Sequence, residues 1–257
     1  MKLGADILGN IAILKFGREV KFRDKKKFAS DFLKKNKNVR TILEKVGKFS
    51  GRLRTQKTKW LAGEKTREAL YKENSCEFRF NVDTCYFSPR LSSERKEIAL
   101  SVKKGERVLV MFGGVAPFAI VIAKLAKPAR VVSVELGKEC NKYALINVKR
   151  NKVAGVVDVV QGDVRRVLQK FGEKFDRIVM ARPNLKDSFL DVAFSLIKRK
   201  GIIHYYGFYD EKEVGGLKEL IEEEALGAGR KSKILKVKRA GDIGVYKFRY
   251  RGDFRVI

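Results

Sequence analysis

The sequence has no uninterrupted apolar run of about 18 or more residues, so it predicts no transmembrane helix. Its first residues, MKLGADILGN, lack the long apolar core of a signal peptide. Three cysteines, Cys76, Cys85 and Cys140, show no CxxC spacing, and His204 is the only histidine. These absences argue against a zinc site and a disulfide framework. We therefore expect a protein without a bound metal, in the reducing cytoplasm.

The sequence also lacks internal repeats and low-complexity linkers. Its 257 residues are 44% hydrophobic and 34% charged, a globular composition that supports a sizeable core in one or two domains. The 58 lysines and arginines outnumber the 30 aspartates and glutamates, so the net charge is +28. This charge indicates a polyanionic partner, with nucleic acid first and an anionic membrane second. The alternative is a heavily charged, solvated surface.

The positive charge is concentrated at the two ends of the chain. Residues 1–60 carry 18 basic and 5 acidic residues, and residues 229–257 carry 10 and 2, whereas residues 61–100 carry 7 of each. This distribution suits a folded polyanion that is held from two sides. Basic residues also alternate with others over parts of the segment 52–59, which on a strand would place several cations on one face. An ordinary solvated strand has the same pattern.

The pattern of apolar residues divides the chain near residue 88. Residues 1–88 read as a small α+β domain, with a strand at 11–14, an amphipathic helix at 24–36 and strand-like runs near 39–46, 52–60, 69–72, 76–82 and 84–87. A helix capped by Ser92 or Ser93 is predicted to begin the second domain, residues 89–257, and to continue through Val102.

Strands then alternate with helices. Strands are predicted at 108–112, 131–136, 156–161, 178–181 and 201–208, and helices at 119–126, 138–151, 164–170, 186–199 and 211–225. This rhythm is typical of an α/β fold with a mostly parallel, doubly wound, Rossmann-like sheet. Two final strands, at 234–238 and 245–250, have no helix between them and predict an antiparallel pair at the sheet edge.

The residues that follow the strands indicate where a ligand would lie, because ligands of such sheets bind beyond the carboxyl ends of the strands. Small residues at 113–116 follow the first strand, Glu135 ends the second, and Gly162-Asp163 follows the third. A carboxylate at the second strand end suits two ribose hydroxyls, and Asp163 suits an adenine amino group. Each acid alone is more often a helix cap, but together they predict a nucleoside pocket of the kind found in S-adenosylmethionine-dependent methyltransferases.

Several longer segments resemble one family. They are KENSCEFRFNVDTCYFSPRLSSER from residue 72, VLVMFGGVAPFAIVIAK, VVSVEL at 131–136, INVKRNKV at 146–153, QGDVRRV at 161–167 and IIHYYGF at 202–208. Over roughly residues 8–210 the sequence resembles the archaeal and eukaryotic tRNA (guanine-N1)-methyltransferases that act at position 37, next to the anticodon. The resemblance implies a Rossmann-like methyltransferase domain preceded by a small RNA-binding domain. We expect no counterpart of the further N-terminal domain of many members, and therefore weak recognition of distant parts of the tRNA.

The resemblance also implies roles for individual residues. Glu94 matches the proposed general base, and Arg54 matches an arginine that holds the target guanine. The remaining matches are cofactor-pocket positions, namely Tyr86, Phe112, Gly113, Gly114, Val115, Glu135, Asp163 and Pro183. In the basic segments, Arg52, Lys57, Lys59 and Arg90 are the expected RNA contacts. Without the resemblance, Glu94 would read as a surface acid in the first turn of a helix.

This sequence departs from the family pattern at several positions. Where the family usually has VLDMFAGVGPF, Val110 replaces the acid and Ala116 replaces the second glycine. The family's Asn-Leu-Pro after the fourth strand is Ala181-Arg182-Pro183 here, and Gly137-Lys138 replaces its Asn-Pro after the second. The missing asparagine removes hydrogen bonds that would orient the base.

Three functions therefore remain open. The first, which we favour because of the YFSPRL and HYYGF segments, is methyl transfer from S-adenosylmethionine to N1 of guanosine 37 of tRNA. The second is a wyosine-pathway transfer, of an aminocarboxypropyl or methyl group, at the same nucleotide. The third is a tRNA-binding protein whose catalysis is impaired. In each case we expect the anticodon stem-loop of tRNA as the partner, neither DNA nor a membrane, and a monomer. His204 reads as a packed or hydrogen-bonded residue rather than a catalytic one.

Overall fold

A computed structural model describes residues 4–168, 171–244 and 246–257, and the chain divides after residue 89 into two units. In the first unit, residues 1–89, the helix α1 (Phe22–Lys35) connects two parallel strands of a four-stranded sheet. The strands are β1 (Gly4–Leu8), β2 (Ile11–Lys15), β3 (Thr41–Ser50) and β4 (Thr55–Gly63), in the order β1-β2-β3-β4. The β2–β3 pair is parallel and the other two pairs are antiparallel.

The amphipathic pattern of α1 sets how the first unit packs. Phe28, Phe32 and Leu33 of this helix lie against buried sheet residues that include Leu14 and Ile42. The predicted helix at 24–36 is therefore confirmed, with its first turn beginning at Phe22. A hairpin of β5 (Glu68–Glu73) and β6 (Cys76–Asn81) completes the unit.

Two predicted strand segments of this unit are wrong. Residues 51–54 form a turn in which Gly51 and Arg54 have φ of +68° and +52°, so the predicted strand begins only at Thr55. Residues 84–87 are also not a strand, because the Cys85 N–H donates to the Asn81 carbonyl and turns the chain. The apolar residues at 84–87 pack into the core without forming a strand. Phe87, for example, stacks on Phe80 with ring centroids 4.7 Å apart.

The second unit, residues 90–257, begins with the predicted helix α2 (Ser92–Ser101) and contains a seven-stranded sheet. Its strands are β7 (Arg107–Met111), β8 (Arg130–Glu135), β9 (Val157–Gln161), β10 (Phe175–Met180), β11 (Ile197–Asp210), β12 (Ser232–Gly244) and β13 (Lys247–Val256). The helices between them are α3 (Pro117–Ala126), α4 (Lys138–Arg150), α5 (Val164–Leu168), α6 (Leu190–Leu196) and α7 (Gly215–Gly227).

The strand order is β12-β13-β11-β10-β7-β8-β9. The five strands from β11 to β9 are parallel, and β13 is antiparallel to both of its neighbours. The doubly wound fold and the antiparallel final pair are therefore confirmed. Chain order reverses between β7 and β10, which places the topological switch point at their carboxyl ends. Strand β12 lies at one edge of the sheet and β9 at the other.

The predicted helix at 186–199 is wrong at both ends. Helix α6 begins only at Leu190, because Phe189 has φ of +59° and cannot belong to it. It ends at Leu196, because Ile197 pairs with Phe175 and begins β11. Strand β1 was not predicted. The predicted elements at 164–170 and 245–250 include residues 169, 170 and 245, which lie outside the described residues.

No described helix is long and apolar enough to cross a bilayer. The described residues also contain no group of three or more His, Cys, Asp or Glu side chains that could hold a metal ion. The three cysteines are buried and carry free thiols.

A buried arginine joins β10 to the segment before β7. Arg177 contacts both oxygens of Glu106, at 2.7 and 3.1 Å, and donates to the Ser101 carbonyl at 2.9 Å. Arg130 makes comparable contacts with Asp158 and Glu173, both at 2.5 Å, but its side chain is 41% exposed. Both arginines thus pair with carboxylates, and they differ in solvent access and in the additional bond from Arg177 to Ser101.

We expect Arg177→Met to lower the free energy of unfolding by about 3–5 kcal/mol, because it breaks a buried charge network. Arg130→Met is the matched control, and we expect it to cost less than about 1 kcal/mol because water screens the exposed pair. Urea denaturation followed by circular dichroism measures both variants. Equal losses would contradict this difference between the two pairs.

Candidate active site

The loop after β7 brings backbone close to the neighbouring strand β8. Phe112, Gly114 and Ala116 all have positive φ, between +56° and +64°. The Gly113 N–H donates to the Val134 carbonyl at 2.8 Å, and a Cβ at residue 113 would lie only 2.1 Å from Ser133 Oγ. A side chain at residue 113 would displace Ser133, so glycine lets this loop pack closely against β8.

Glu135 links this loop to the loop after β8. Its Oε2 accepts the Gly114 N–H at 2.8 Å, and its Oε1 accepts the Gly137 N–H at 2.7 Å. Burial raises the pKa of Glu135, and these backbone N–H groups offset part of that rise. The Leu136 N–H also lowers the pKa of Glu135, and a carboxylate with about four acceptor positions can still accept from a ligand hydroxyl.

The third strand end joins the same arrangement. The Gly162 N–H donates to the Glu135 carbonyl at 2.9 Å, and Gly162 has φ of +149°. Asp163 Oδ1 accepts the Arg165 N–H at 3.0 Å, so this carboxylate caps the short helix α5. The structure thus places Gly114, Glu135 and Gly162 in one hydrogen-bonded group, as expected for neighbouring strand ends.

The loop after β10 is organised by Arg182. This side chain is buried, and its Nη2 donates to the carbonyls of Leu185 and Asp187, the latter at 2.7 Å. Its guanidinium lies 5.4 Å from the centre of the Tyr205 ring, and its buried Nε has no hydrogen-bond partner in the described part of the chain. Pro183 is half-buried in this loop. The departure at 181–183 therefore replaces the amide with Ala181 and the leucine with a buried cation, Arg182, that shapes the loop.

A second group surrounds Glu94, which is only 5% exposed. Glu94 Oε2 accepts from Arg251 Nη1 at 2.5 Å and from the Tyr206 hydroxyl at 3.1 Å, and Oε1 lies 2.6 Å from Lys238 Nζ. Burial, together with the charge of Glu94, holds the pKa of Tyr206 well above its usual value. The structure therefore corrects the simple reading of Glu94 as an exposed first-turn acid, because α2 carries it into the core.

Glu97, one turn further along α2, shares the same cations. It contacts Arg251 Nη2 at 2.6 Å and Lys238 Nζ at 2.5 Å. Burial raises the pKa of Glu97, but the bonds from Lys238 and Arg251 outweigh that effect and lower it to about 2. Glu94 and Glu97 thus have common partners and differ in burial, since the side chain of Glu97 is 38% exposed.

The network continues through the only histidine. Arg251 Nε donates to Asp253 Oδ1 at 2.8 Å, and the same oxygen lies 2.7 Å from His204 Nδ1. His204 Nε2 lies 2.8 Å from Arg177 Nη1, and arginine only donates. Nε2 is therefore the acceptor, and Nδ1 carries the proton given to Asp253. Burial lowers the pKa of His204, as do the charges of Arg177 and Arg251.

Sequence reasoning missed most of this charge network and one further residue. Lys238, Arg251 and Asp253 lie on the final hairpin, and only their net charge was noted. Asn147 is fully buried on α4, and its Nδ2 donates to the Val115 carbonyl at 3.2 Å, which supports the loop after β7. The sequence offered one indication of this residue, because Asn147 and Asn151 are four residues apart and would share one face of a helix.

The remaining candidates lie mostly in the first unit. The Arg54 guanidinium lies 4.1 Å from the centre of the Tyr86 ring. Arg52 is exposed in the turn, not on the predicted strand, whereas Lys57 and Lys59 are exposed on one face of β4. Lys59 Nζ also lies 4.3 Å from the centre of the Phe22 ring. Arg90 is exposed at the start of the second unit.

The structure therefore forms three groups of candidate residues. Phe112, Gly113, Gly114, Val115, Glu135, Asp163 and Pro183 lie in the strand-end loops of the second unit. Glu94 lies in the buried charge network of that unit. Arg54 and Tyr86 lie together in the first unit.

The sequence of these loops matches a known family. A family model for the TRM5/TYW2 methyltransferase domain matches residues 69–225, more than half of the chain. The chain belongs to the TRM5/TYW2 methyltransferase family. The predicted family resemblance and the Rossmann-like methyltransferase fold are thereby confirmed.

Curated relatives of this TRM5/TYW2 member include three archaeal proteins. The tRNA (guanine(37)-N(1))-methyltransferase Trm5b of Pyrococcus abyssi is 36% identical over 252 residues, 98% of this chain and 74% of that protein. The tRNA (guanine(37)-N(1))/4-demethylwyosine(37)-methyltransferase Taw22 of Nanoarchaeum equitans is 35% identical, covering 98% of this chain and 99% of that protein. A tRNA(Phe) (4-demethylwyosine(37)-C(7)) aminocarboxypropyltransferase of Methanocaldococcus jannaschii is 32% identical, covering 73% and 75%.

A solved structure agrees with this family membership. The crystal structure of Trm5b from Pyrococcus abyssi matches with a TM-score of 0.87 at 35% identity, and the match covers 98% of this chain and 74% of that one.

The neutral, buried imidazole generates a prediction about pH. The unfolded imidazole has an ordinary pKa of 6.5 and takes up a proton that the folded one resists. The stability that His204 contributes is therefore fully present above pH 6.5 and is lost as the pH falls toward the lowered folded pKa. The dependence approaches about 1.4 kcal/mol per pH unit for one proton.

We expect His204→Asn, which keeps one acceptor and one donor, to lose this part of the pH dependence. Urea denaturation at several pH values between about 7.5 and about 5 gives the slope of the unfolding free energy against pH for both proteins. We expect the two slopes to differ by about one proton. His204 contributes to the lowered pKa of Asp253, but the ordinary value of that carboxyl, 3.8, already lies below this pH range, so the difference between the two slopes reports on His204. Identical slopes would show that the buried imidazole is not the group responsible.

Proposed function

We propose that this TRM5/TYW2 family member transfers a methyl group from S-adenosylmethionine to N1 of guanosine 37 in tRNA, next to the anticodon. The observation that carries the proposal is the alignment of 98% of the chain with two relatives, Trm5b and Taw22, whose names state this reaction. The strand-end loops, the charge network and the basic first unit each supply a part that the reaction needs.

The strand-end loops fit the nucleoside part of the cofactor. Backbone N–H groups of Gly114 and Gly137 hold Glu135 at the end of β8, where its carboxylate suits the ribose hydroxyls. Asp163 follows the adjoining strand β9, where a carboxylate suits an adenine amino group. The full proposed set is Tyr86, Phe112, Gly113, Gly114, Val115, Glu135, Asp163 and Pro183.

The chemistry requires a base and a stabilising cation. S-adenosylmethionine supplies the electrophilic methyl group, and guanine N1 carries a weakly acidic proton that must leave as the N1–methyl bond forms. We assign the base to Glu94, whose carboxylate receives that proton while the bond from sulfur to the methyl group breaks. We assign Arg54 to the negative charge that develops on guanine O6.

The basic residues account for the polyanionic partner. Lys57 and Lys59 on one exposed face of β4, with Arg52 in the adjoining turn, suit the phosphates of an anticodon stem-loop. Arg90 adds a cation at the start of the second unit. We therefore propose residues 1–88 as the RNA-binding domain and residues 89–257 as the methyltransferase domain of a cytoplasmic monomer.

Two observations favour other candidates. The Nanoarchaeum relative also acts on 4-demethylwyosine by name, and Ala181 lacks an amide that would orient guanine, so a wyosine-pathway transfer at the same nucleotide is the second candidate. In addition, Arg251 contacts Glu94 Oε2 at 2.5 Å and Lys238 contacts Oε1 at 2.6 Å, so both carboxylate oxygens are already paired with cations. This double neutralisation favours the third candidate, a tRNA-binding protein with impaired catalysis.

Methyl transfer to tRNA transcripts tests the proposal directly. We expect label from S-[methyl-³H]adenosylmethionine to enter a transcript with guanosine at position 37 and not one with adenosine there. Label only on wyosine-precursor tRNA, from a methyl-labelled or an aminocarboxypropyl-labelled cofactor, would establish the second candidate. Tight tRNA binding without transfer of either group would establish the third.

Glu94→Gln tests the base within the same assay. We expect kcat to fall by about a hundredfold or more with tRNA affinity retained, because general bases contribute on the order of 10²–10⁴ in rate. Glu97→Gln is the matched control, since it removes a carboxylate that contacts the same two cations. Equal losses in both variants would assign the effect to the charge network and not to the base.

Glu135→Gln tests the cofactor pocket. The amide can accept from only one of the two glycine N–H groups and turns an NH₂ donor toward the other. We expect the Kd for S-adenosylmethionine to rise at least about tenfold, which corresponds to about 1.4 kcal/mol. Calorimetry measures it, and Glu139→Gln in the exposed first turn of α4 is the control. An unchanged Kd would remove Glu135 from the pocket.

A further inference from the structure

A group of rings and cations that we call the hairpin cluster consists of Lys45 and Phe49 of β3, Arg54 of the turn before β4, and Tyr86, which follows β6. Lys45 Nζ lies 4.1 Å from the centre of the Phe49 ring, and the Arg54 guanidinium lies 5.6 Å from it. The Phe49 and Tyr86 rings meet edge to face, with centroids 5.2 Å apart. Each ring is therefore in contact with a cation.

The backbone turns Phe49 out of the regular strand pairing. Val46 pairs with Lys57, and the next paired residues are Ser50 and Thr55, so the ladder is irregular between them. Gly47 in this interval has φ of +86°, a conformation that favours glycine. Such irregularities re-aim side chains, and here the result is a phenylalanine that is 37% exposed.

The charge around Phe49 is unbalanced. Burial lowers the pKa of Lys45, and the neighbouring charges of Lys15 and Arg54 lower it further against the opposing effect of Asp6. Asp6 itself pairs with Lys15 at 2.9 Å. Among the main charges that act on Lys45 in the described residues, two cations oppose one carboxylate, and an anionic group would stabilise the arrangement.

We propose that Phe49 and Lys45 bind the nucleotide of tRNA that neighbours the target guanosine, with its base stacked on the Phe49 ring and its phosphate at Lys45. This inference rests on the proposed function and deepens it, since neither residue belongs to the proposed catalytic or cofactor set. Phe49 is connected to that set through its ring contact with Tyr86 and its contact with Arg54.

A nucleotide fits this surface better than other polyanions. An aromatic face with adjacent cations binds unpaired bases, because every base has a π-face and every phosphate a charge. Because the Phe49 and Tyr86 rings meet edge to face, they form a two-ring aromatic surface rather than a single ring. The nucleotide must be unpaired to stack in this way, which is the state of an anticodon-loop residue.

The test measures tRNA affinity and methyl transfer for matched variants. We expect Phe49→Ala to weaken tRNA binding about tenfold, and Phe49→Trp to restore it, because stacking on one ring contributes on the order of five- to a hundredfold in affinity. Leu70→Ala is the control, since Leu70 lies in the same unit and is 36% exposed. Thermal melting of each variant verifies folding.

Salt dependence separates the two roles. We expect Lys45→Met to reduce the slope of log affinity against log salt by about 1, and Phe49→Ala to leave the slope unchanged. Wild-type-like affinity of Phe49→Ala, or an equal loss in Leu70→Ala, would overturn the inference. Wild-type transfer is measured in the same preparations, so a protein that binds tRNA through Phe49 but transfers no methyl group would refute the proposed function alone.

Discussion

The packing of the second unit depends on pairing the charges that it buries, because an unpaired buried charge is costly. A guanidinium removed from water must be matched, and Arg251 and Arg177 are matched by an alternating series of partners, Glu94, Asp253, His204 and Glu106. These side chains come from α2, from the segment before β7 and from three sheet strands. One continuous network therefore sets how the first helix of the unit lies on the sheet, and it is also where the proposed base resides.

Much of the fold was predictable because its signals are local. The strands beside the switch point consist of apolar runs such as Val108–Met111, all buried, and their alternation with helices leaves few topologies. Errors occurred where a local pattern had another cause. Phe87 alternates with Cys85 because both enter the core, and Ile197 continues a helical pattern while its backbone pairs with Phe175.

The candidate site also contains residues whose proximity the sequence predicts and residues whose proximity it does not. Glu135 and Gly162 could be placed together from the sequence, because carboxyl ends of neighbouring parallel strands share one sheet edge. The partners of Glu94 could not be found, since Arg251 lies 157 residues further along the chain and local sequence carries no information on such pairing. The Phe49 surface was hidden for a different reason, because it arises from a bulge and a positive φ at Gly47 rather than from a periodic pattern.

Strand β12 has a consequence for self-association. As the outer strand of the sheet, it presents unpaired backbone groups to which a strand of another molecule could add. Its side chains include Lys233, Lys236 and Lys238, and a second copy of the same strand would bring these like charges together. The lysines that pair with Glu94 and Glu97 thus also protect the sheet against edge-to-edge aggregation.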